Sequence, residues 1–383
     1  MGRGVKVKKL FLTLILAIVG IFGCTAAASA LTIDAEACIL IDAASGRIIY
    51  QSNAHEALPP ASTTKVLTAL LTLKTVEDLS TTVTLPDDFV NVGESGINLQ
   101  AGDSYTIEDM LYALMLRSAN DAGQALAIAV SGSEEAFGKY MNDYTRELGL
   151  TDSVWSNAHG LDDDDHLASA YDLAMITREA VKYPKFNEII TTESWTLPWL
   201  DNAYDRVIYN HNQFLTTYEG ADGVKTGYTE KAGNCLIASA TRDGMRLIGV
   251  VLNCPNQSHY TQMTALMDYG FANYKPLKLA SAGDVVSSVR ISKGTVSKVD
   301  AVLMDDIIIA VPNNATYTPK AKIDLPNSLE APQTMDQAVG TVTYTDDMGN
   351  EIKGDIYLKE AVARFTFADA LRAAWQSFVN ALF

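Results

Sequence analysis

Three short motifs hold the residues of this chain whose types and spacing could do chemistry. Alone, each motif is common: Ser-x-x-Lys as a solvated helix turn, Ser-x-Asn as a turn with helix-capping side chains, and Lys-Thr-Gly as the end of a surface strand. The occurrence of all three motifs in this order, within a segment long enough for one catalytic domain, is hard to obtain by chance. They are Ser62-Thr63-Thr64-Lys65, Ser118-Ala119-Asn120 and Lys225-Thr226-Gly227, in a chain of 383 residues.

The first motif could hold a nucleophile and its base. A serine hydroxyl is a weak nucleophile and needs a base within hydrogen-bond reach, which Lys65 supplies if one helical turn places it beside Ser62. Pro59-Pro60 ends an extended stretch, and the apolar residues 66–71 continue a buried helix. A free lysine has a pKa of about 10.4. Burial, the helix N-terminus and a second cation such as Lys225 would each lower that pKa.

The second motif falls between two predicted helices. Residues 106–117 predict a helix with Thr106 as N-cap and Asp109 three residues on, and residues 122–130 predict the next. In the tight connection between them, the Ser118 hydroxyl and the Asn120 carboxamide can both point into a cleft.

The third motif is predicted to lie on a strand. After it comes a hairpin pattern, with strands at residues 234–240 and 245–252 around a turn at Arg242-Asp243-Gly244. A cation and a hydroxyl at a sheet edge can hold a substrate carboxylate, and Gly227 leaves room for a peptide to lie alongside as an added strand.

With these motifs the chain resembles the serine penicillin-recognising enzymes, whose signature set is Ser-x-x-Lys, Ser-Asp-Asn and Lys-Thr-Gly. Within that group it is similar to the low-molecular-weight D-alanyl-D-alanine carboxypeptidases. The resemblance covers roughly residues 35 to 275, and later segments fit the family's accessory domain more loosely. Ala119 stands where the lactamases usually carry Asp, and Ala158 where the family often has Pro. The wider match comprises residues 60–65, 117–122, 157–162 and 222–229.

The resemblance implies an α/β fold, with a β-lactamase/transpeptidase-like catalytic domain of antiparallel sheet and helices. It implies a serine-type D-Ala-D-Ala carboxypeptidase that acts on peptidoglycan stem peptides, is acylated by β-lactams, and needs no cofactor or metal. The expected catalytic residues are Ser62 as nucleophile, Lys65 as base, and Ser118 and Asn120 for proton relay and substrate positioning. The expected substrate-binding residues are Lys225, Thr226 and Gly227, Tyr228 (whose N–H joins that of Ser62 in an oxyanion hole), and His159 near the cleft as a structural or substrate-contact residue.

Other functions share parts of this pattern. A class A β-lactamase would need a deacylating glutamate of the Glu-x-x-Leu-Asn type between the second and third motifs, and the sequence has none. A peptidoglycan endopeptidase or transpeptidase with the same motifs stays open. A non-catalytic peptidoglycan-binding module is disfavoured by intact Ser62, Lys65 and Lys225.

The N-terminus predicts export. Lys6, Lys8 and Lys9 precede an apolar run, and Ala28-Ser29-Ala30 resembles a cleavage site, so residues 1–30 are predicted to be a signal peptide. A retained transmembrane anchor is the alternative, and a lipoprotein site at Gly23-Cys24 is disfavoured by the bulky Phe22. Removing residues 1–30 takes away four basic residues and no acid, so the formal net charge changes from −17 to −21. Such an acidic chain is not expected to bind nucleic acid.

The mature chain is too long for one ordinary domain. We expect a catalytic domain at residues 31–276, in which strands at residues 37–41 and 48–50 join the sheet of the later hairpin. Residues 277–360 predict a small β-rich domain, with strands such as residues 307–311 and 340–344. Its expected role is to space the catalytic domain from a membrane, with structural support as the alternative.

Residues 361–383 predict an amphipathic helix. Fewer than about 20 residues with charges among them cannot easily span a bilayer, so an interfacial helix on the outer face of the membrane is expected. Its polar face is poorly basic, so packing against the β-rich domain or a partner is the rival interpretation. The apolar face comprises Phe367, Leu371, Trp375, Phe378 and Leu382, and the polar face Asp369, Arg372, Gln376 and Asn380.

The remaining cysteines and histidines predict no further chemistry. Cleavage would leave Cys38, Cys235 and Cys254, and an odd number argues against a disulfide framework. Cys235 could line the rim of the cleft, but a small buried apolar residue is the favoured interpretation. The acidic run at residues 162–165, between His159 and His166, could suggest a cation site, although a solvated loop is favoured.

Overall fold

Strands and helices alternate through the first part of the chain in the computed structural model, which describes residues 31–198, 205–315, 317–346 and 348–382. The predicted signal peptide lies outside the described residues. The strands are β1 Ala37–Asp42, β2 Ile48–Ser52, β3 Ala57–Leu58, β4 Thr82–Thr84, β5 Ser104–Thr106, β6 Ala168–Ser169, β7 Ser194–Leu197, β8 Arg206–Tyr209, β9 Ala221–Thr229, β10 Gly233–Arg242 and β11 Met245–Cys254. The α-helices are α1 Lys65–Thr75, α2 Ile107–Tyr112, α3 Asn120–Ser131, α4 Glu134–Glu147, α5 Ala170–Ala180, α6 Pro184–Thr191, α7 Phe214–Thr217 and α8 His259–Asn273.

A five-stranded antiparallel sheet, in the order β2-β1-β11-β10-β9, lies at the centre of this part. All six residues of β1 are buried. Because successive side chains of a strand point to opposite faces, both faces of the sheet must be covered at β1. Helices α5 and α8 pack on β1 and β11. The predicted union of the N-terminal strands with the later hairpin is confirmed, and β9, which carries the third motif, lies at a sheet edge.

The hairpin between β10 and β11 turns on two residues. Asp243 and Gly244 have φ of 51° and 79°, and two consecutive positive values match the primed turns that follow the right-handed twist of a hairpin. The predicted turn is confirmed, although Arg242 is the last residue of β10 rather than part of the turn.

The helix predicted at residues 106–117 has two parts. Thr106 is its N-cap, as predicted, since its side chain accepts a hydrogen bond from the Asp109 N–H at 3.0 Å. After α2 the chain continues as a π-helical turn, Ala113–Arg117. Ser118 then adopts a left-handed conformation with φ 62°, and α3 begins at Asn120, two residues before the predicted start.

The C-terminal part of the described chain is all-β before its final helix, as predicted. A six-stranded sheet runs in the order β16-β18-β19-β14-β13-β17, and β12 pairs with β15. Strand β12 crosses the predicted domain boundary between residues 276 and 277, which itself stays a prediction. The strands are β12 Tyr274–Ala280, β13 Val285–Ser292, β14 Lys298–Leu303, β15 Ile307–Pro312, β16 Lys320–Asp324, β17 Ser328–Glu330, β18 Gly340–Thr345 and β19 Glu351–Leu358.

A buried ion pair links the two parts. Arg47, in the turn between β1 and β2, donates from Nη2 to Asp346 Oδ2 at 2.9 Å, and both side chains are buried. The same Asp346 carboxylate accepts the Asn350 N–H at 2.7 Å. A charge pair that is withdrawn from water needs several such bonds to offset its desolvation. The β-rich domain is therefore fixed to the turn of the catalytic sheet at a defined point.

The chain ends in helix α9, Phe367–Leu382, so the predicted tail helix is confirmed. Thr366 and Asp369 cap its start, since the Thr366 hydroxyl donates to the Asp369 carboxylate at 2.7 Å. Its described large apolar side chains are exposed. Within the described residues no helix is both long and apolar enough to cross a membrane.

The described cysteines are buried free thiols, at Cys38, Cys235 and Cys254. Burial raises the pKa of the Cys235 thiol to about 12. A protonated, enclosed thiol is unreactive. Cys235 is therefore a buried apolar residue, as favoured from the sequence, and not part of a cleft rim.

Candidate active site

The first motif forms the start of a helix. Residues Ala61–Thr64 make a 3₁₀ turn that leads directly into α1, whose first residue is Lys65. As predicted from the i, i+3 spacing, the Lys65 side chain returns to Ser62, with Nζ 2.8 Å from Ser62 Oγ.

The Lys65 amine lies among acceptors in a buried position. Nζ is 2.8 Å from Asn120 Oδ1 and 2.6 Å from the His159 carbonyl oxygen, and the side chain has no exposed surface. Burial, followed by repulsion from Lys225, holds the pKa of Lys65 well below its ordinary value of 10.5, while the charges of Asp121 and Glu94 act in the opposite direction.

The hydrogen-bond partners of Lys65 Nζ determine how its amine, when neutral, would be oriented. Asn120 Nδ2 donates to the Gly93 carbonyl at 3.1 Å, so Oδ1 of the same amide faces Lys65 as an acceptor. The His159 carbonyl is also an acceptor only. A neutral amine has two N–H groups and one lone pair. If the two N–H groups serve Asn120 and His159, the lone pair is left facing the Ser62 hydroxyl.

The second motif is held by a loop that the sequence did not single out. Asn120 N donates to the Ser95 carbonyl at 2.7 Å, and Asn120 Nδ2 reaches Gly93 in the same loop. Ser118 is buried at the end of the π-helical turn, in its left-handed conformation. The turn thus fixes the backbone of Ser118, and the loop fixes Asn120.

Asp121 anchors that loop, and no role was predicted for it. Its carboxylate is fully buried and accepts the N–H groups of Ile97 and Leu99, each at 3.0 Å, and Asn91 Nδ2 at 2.9 Å. A Cβ on Gly96 would lie 2.8 Å from Asp121 Oδ2, so the loop closes on the carboxylate only with glycine there. The available signal was the position of Asp121 directly after the second motif.

The third motif places a second buried lysine at the edge strand. Lys225 is almost fully buried, and its Nζ donates to the Thr226 carbonyl at 2.9 Å. Burial lowers the pKa of Lys225 to about 7. Thr226 follows it on β9 and is half-buried, and Tyr228 is exposed.

Gly227 lets β9 pass against the first motif. A Cβ at this position would lie 3.0 Å from the Ser62 nitrogen and 3.1 Å from the Thr63 nitrogen. The sequence predicts that Gly227 leaves room for a peptide to lie alongside the strand. The structure gives a second reason for glycine: the backbone turn that carries Ser62 occupies the space a side chain would need.

The segment at residues 157–162 supports the turn from the other side. Gly160 has φ +87°, and a Cβ there would lie 1.9 Å from the Ala61 carbonyl oxygen, so only glycine permits this approach. His159 contacts Lys65 through its backbone carbonyl. Its ring is buried, with Nε2 3.4 Å from Glu134 Oε1. The substrate contact predicted for His159 stays a prediction.

His166 contacts the first motif, which the sequence analysis did not foresee. Nδ1 accepts the Ser156 N–H at 3.0 Å, and Nε2 lies 2.8 Å from Thr64 Oγ1. Burial lowers the pKa of His166 to about 3, so the ring is neutral and its proton is on Nε2, where it donates to Thr64. The acidic residues 162–165 are exposed, and the described part of the chain holds no group of three metal-binding side chains.

Comparisons with known proteins identify the family. Residues 24–256 match the family model described as D-alanyl-D-alanine carboxypeptidase, and residues 274–364 match the C-terminal domain of penicillin-binding protein 5. The chain is 31% identical over 360 residues to D-alanyl-D-alanine carboxypeptidase DacF of Bacillus subtilis, covering 91% of this chain and 92% of that protein.

Solved structures agree with this family over 63% to 88% of the chain. Penicillin-binding protein 5 from Haemophilus influenzae superposes with a TM-score of 0.63 at 29% identity, covering 88% of this chain and 99% of that one. PBP3 from Streptococcus pneumoniae gives 0.68 at 28% identity, with 87% and 100% covered. A mutant of the Streptomyces K15 DD-transpeptidase gives 0.59 at 30% identity, with 63% and 99% covered. The predicted resemblance is confirmed, and the chain belongs to the D-alanyl-D-alanine carboxypeptidase family.

Proposed function

We propose that this protein removes the terminal D-alanine from peptidoglycan stem pentapeptides through an acyl-enzyme on Ser62. The observation that carries the proposal is the buried Lys65 amine beside Ser62 Oγ at 2.8 Å, with its other neighbours at the site acting as acceptors. A base with a pKa brought down toward the working pH is what a serine nucleophile requires.

Acylation begins when Ser62 Oγ attacks the carbonyl carbon of the penultimate D-alanine. The hydroxyl proton passes to Lys65 Nζ as the new C–O bond forms, and the Ser118 hydroxyl relays a proton to the departing amine as the C–N bond breaks. The terminal D-alanine leaves, and water then hydrolyses the ester. A β-lactam acylates Ser62 by the same attack, but its leaving nitrogen stays tethered.

The oxyanion would be stabilised by the N–H groups of Ser62 and Tyr228. The close approach of Gly227 to the Ser62 nitrogen supports this, because it places the backbone of β9 against the turn that carries the nucleophile. The His159 carbonyl and Asn120 Oδ1 would accept hydrogen bonds from Lys65 Nζ, so that the amine stays directed at Ser62 Oγ.

Lys225 and Thr226 would hold the terminal carboxylate. Protonated Lys225 supplies the charge, and Thr226 on the same edge strand supplies a hydroxyl donor. The two lysines would therefore act in opposite protonation states. Lys65 would be neutral and serve as the base, and Lys225 would be charged and bind the carboxylate. Repulsion between the two amines favours that division, since the charge of Lys225 makes a proton on Lys65 less stable.

Transfer to an amine acceptor is the second candidate, because the K15 DD-transpeptidase shares the fold. It uses the same acyl-enzyme and differs only in what attacks it.

The first prediction concerns the nucleophile. Ser62→Ala should abolish covalent labelling by a fluorescent penicillin and all release of D-alanine, because the acylation step is lost. Intact-mass spectrometry should show no adduct, while the exposed Ser80→Ala control is labelled like the wild type. With a stem pentapeptide, wild type should give a product shorter by one alanine; cross-linked dimers would favour transfer, and labelling of Ser62→Ala elsewhere would refute the assignment.

The second prediction concerns Lys225. Lys225→Ala should weaken kcat/KM for a peptide with a free terminal carboxylate by roughly 10- to 150-fold more than for the amidated peptide, because a charge-assisted hydrogen bond of about 1.5–3 kcal/mol is lost. Lys231→Ala, at an exposed lysine paired with Asp164, is the control and should change neither. Equal losses on both peptides would mean that Lys225 does not contact the carboxylate.

The pH dependence of this preference follows from the same group. Lys225, with its pKa lowered to about 7 in the free enzyme, loses its charge as the pH rises, so the advantage of the carboxylate peptide should decline above neutrality. Lys225→Arg should keep its charge and extend that advantage to higher pH. An unchanged profile in Lys225→Arg would contradict the role.

We further propose export by the leader at residues 1–30 and peripheral attachment to the outer face of the membrane through α9. Phe367, Leu371 and Trp375 support this, since they are 79%, 57% and 67% exposed. Burying each in lipid would contribute about 1.5–3 kcal/mol before ordering costs are subtracted.

The third prediction concerns this tail. Deleting residues 365–383 should release the mature protein from sedimented lipid vesicles, because the exposed apolar side chains are lost. Hydrolysis of a small soluble peptide should be unchanged, since the motifs lie in another domain. Full-length protein that fails to sediment, or a truncation that unfolds the chain, would refute the membrane role of α9.

A further inference from the structure

A polar groove opens on the β-rich domain, away from the three motifs. It encloses a cavity of about 750 Å³. Cationic and hydroxyl side chains line it together with two aliphatic side chains, of which Ile323 is exposed and Leu325 is half-buried. These residues include Arg290, Lys298, Ser287, Ser288, Ile323 and Leu325.

Two cations face each other in this groove. Arg290 on β13 is the direct cross-strand partner of Lys298 on β14, and both side chains are exposed. Like charges in directly opposite positions destabilise a ladder. Throughout the described ranges, no ion pair joins either of them to an acid, whereas Lys293 in the same hairpin pairs with Glu330 at 2.8 Å.

This arrangement is unusual in so acidic a chain. The formal net charge is −17, so carboxylates are abundant, yet within the described residues none forms an ion pair with Arg290 or Lys298, although Asp300 lies two residues after Lys298 on β14. An anion from outside the chain would relieve the repulsion. Arg and Lys together suit a phosphate group, to which Arg can donate two parallel hydrogen bonds and Lys a compact charge.

The groove lies close to the origin of the tail helix. The β13–β14 hairpin is bonded to the segment that leads into α9: Phe365 N donates to the Lys293 carbonyl at 2.8 Å, and Thr295 N to the Ala363 carbonyl at 3.0 Å. Arg290 and Lys298 are each three residues from these contacts, which is at most about 10 Å of extended chain. A surface that contacts the start of α9 would therefore also lie near Arg290 and Lys298.

We propose that the groove binds the phosphate of an anionic phospholipid headgroup when α9 lies on the membrane; the inference rests on the proposed membrane attachment. Arg290 and Lys298 hold the phosphate, Ser287 and Ser288 donate to its oxygens or to the headgroup hydroxyls, and Ile323 faces the lipid.

The groove supplies the positive charge that the tail lacks. The tail from residue 365 onward carries one acid, Asp369, and one base, Arg372, so it gains nothing from a negative surface. Stable attachment generally needs a second signal beside an apolar anchor. Here the second signal is on the folded domain, in a protein whose overall charge an anionic membrane repels.

The test compares vesicles of phosphatidylcholine alone with vesicles that also contain phosphatidylglycerol, using the full-length mature protein. Wild type should bind the anionic vesicles more tightly, and salt should reduce the difference. The double variant Arg290→Gln/Lys298→Gln should lose roughly 25-fold of the anionic-vesicle affinity, at about fivefold per cation, and keep its binding to phosphatidylcholine.

The control removes the same charge elsewhere on the domain. Lys320→Gln/Lys322→Gln alters two exposed lysines of β16 that alternate with Ile323 and so point to the other face. This variant should behave like the wild type. An equal loss in both double variants would show general electrostatics and overturn the site.

The remaining outcomes separate the two proposals. Wild type that binds both vesicles equally overturns the headgroup site and leaves membrane attachment intact. Wild type that binds neither vesicle overturns both. Binding to soluble poly(glycerol phosphate) that depends on Arg290 and Lys298, without preference for anionic vesicles, would assign the groove to a wall polymer instead and overturn the lipid assignment.

Discussion

The burial of one lysine amine against acceptor groups is the constraint on which the site depends. Lys65 Nζ has the Asn120 Oδ1 and His159 carbonyl oxygens beside it, and Ser62 Oγ at 2.8 Å. In this enclosure a charged amine is disfavoured by lost hydration and by Lys225. A neutral amine instead satisfies both acceptors and keeps a lone pair for the serine. The enclosure thereby makes a weak nucleophile usable.

Distant segments of the chain are needed to build that enclosure. The loop at residues 91–99 closes on the Asp121 carboxylate and holds Asn120. The segment around Gly160 supplies the His159 carbonyl and touches the first motif so closely that a Cβ cannot be tolerated. Gly227 admits β9 on the remaining side. The first two motifs are thus positioned by segments distant in the sequence, and the third motif itself packs against the first.

Local sequence rules for helix spacing, helix caps and turns predicted several features of the structure. The i, i+3 spacing placed Lys65 on Ser62, the Thr106 cap began the right helix, and the Asp243-Gly244 signal located the hairpin. The motifs were sufficient to predict the fold class and family. The helix-turn, cap and hairpin predictions share one property: the residues that decide each of them lie within a few positions of each other in the sequence.

Long-range features escaped prediction for the complementary reason. No sequence pattern near Asp121 shows that amides 24 and 22 residues earlier bond to it, or that His166 donates to Thr64 across 102 residues. Arg47 and Asp346 are 299 positions apart, so neither is marked as a partner of the other. The π-helical turn before Ser118 has no distinctive residue. Such features arise from tertiary packing rather than from local preference.

The most direct test of the account is the protonation state of Lys65. Selective ¹⁵N labelling of lysine side chains, followed by NMR titration of the mature protein, would monitor Nζ, with the signal assigned by its absence in Lys65→Ala. We expect titration well below 10.5, moving to higher pH in Lys225→Ala because a repelling charge is removed. A Lys65 that stays protonated through neutral pH and titrates near 10.5 would contradict it.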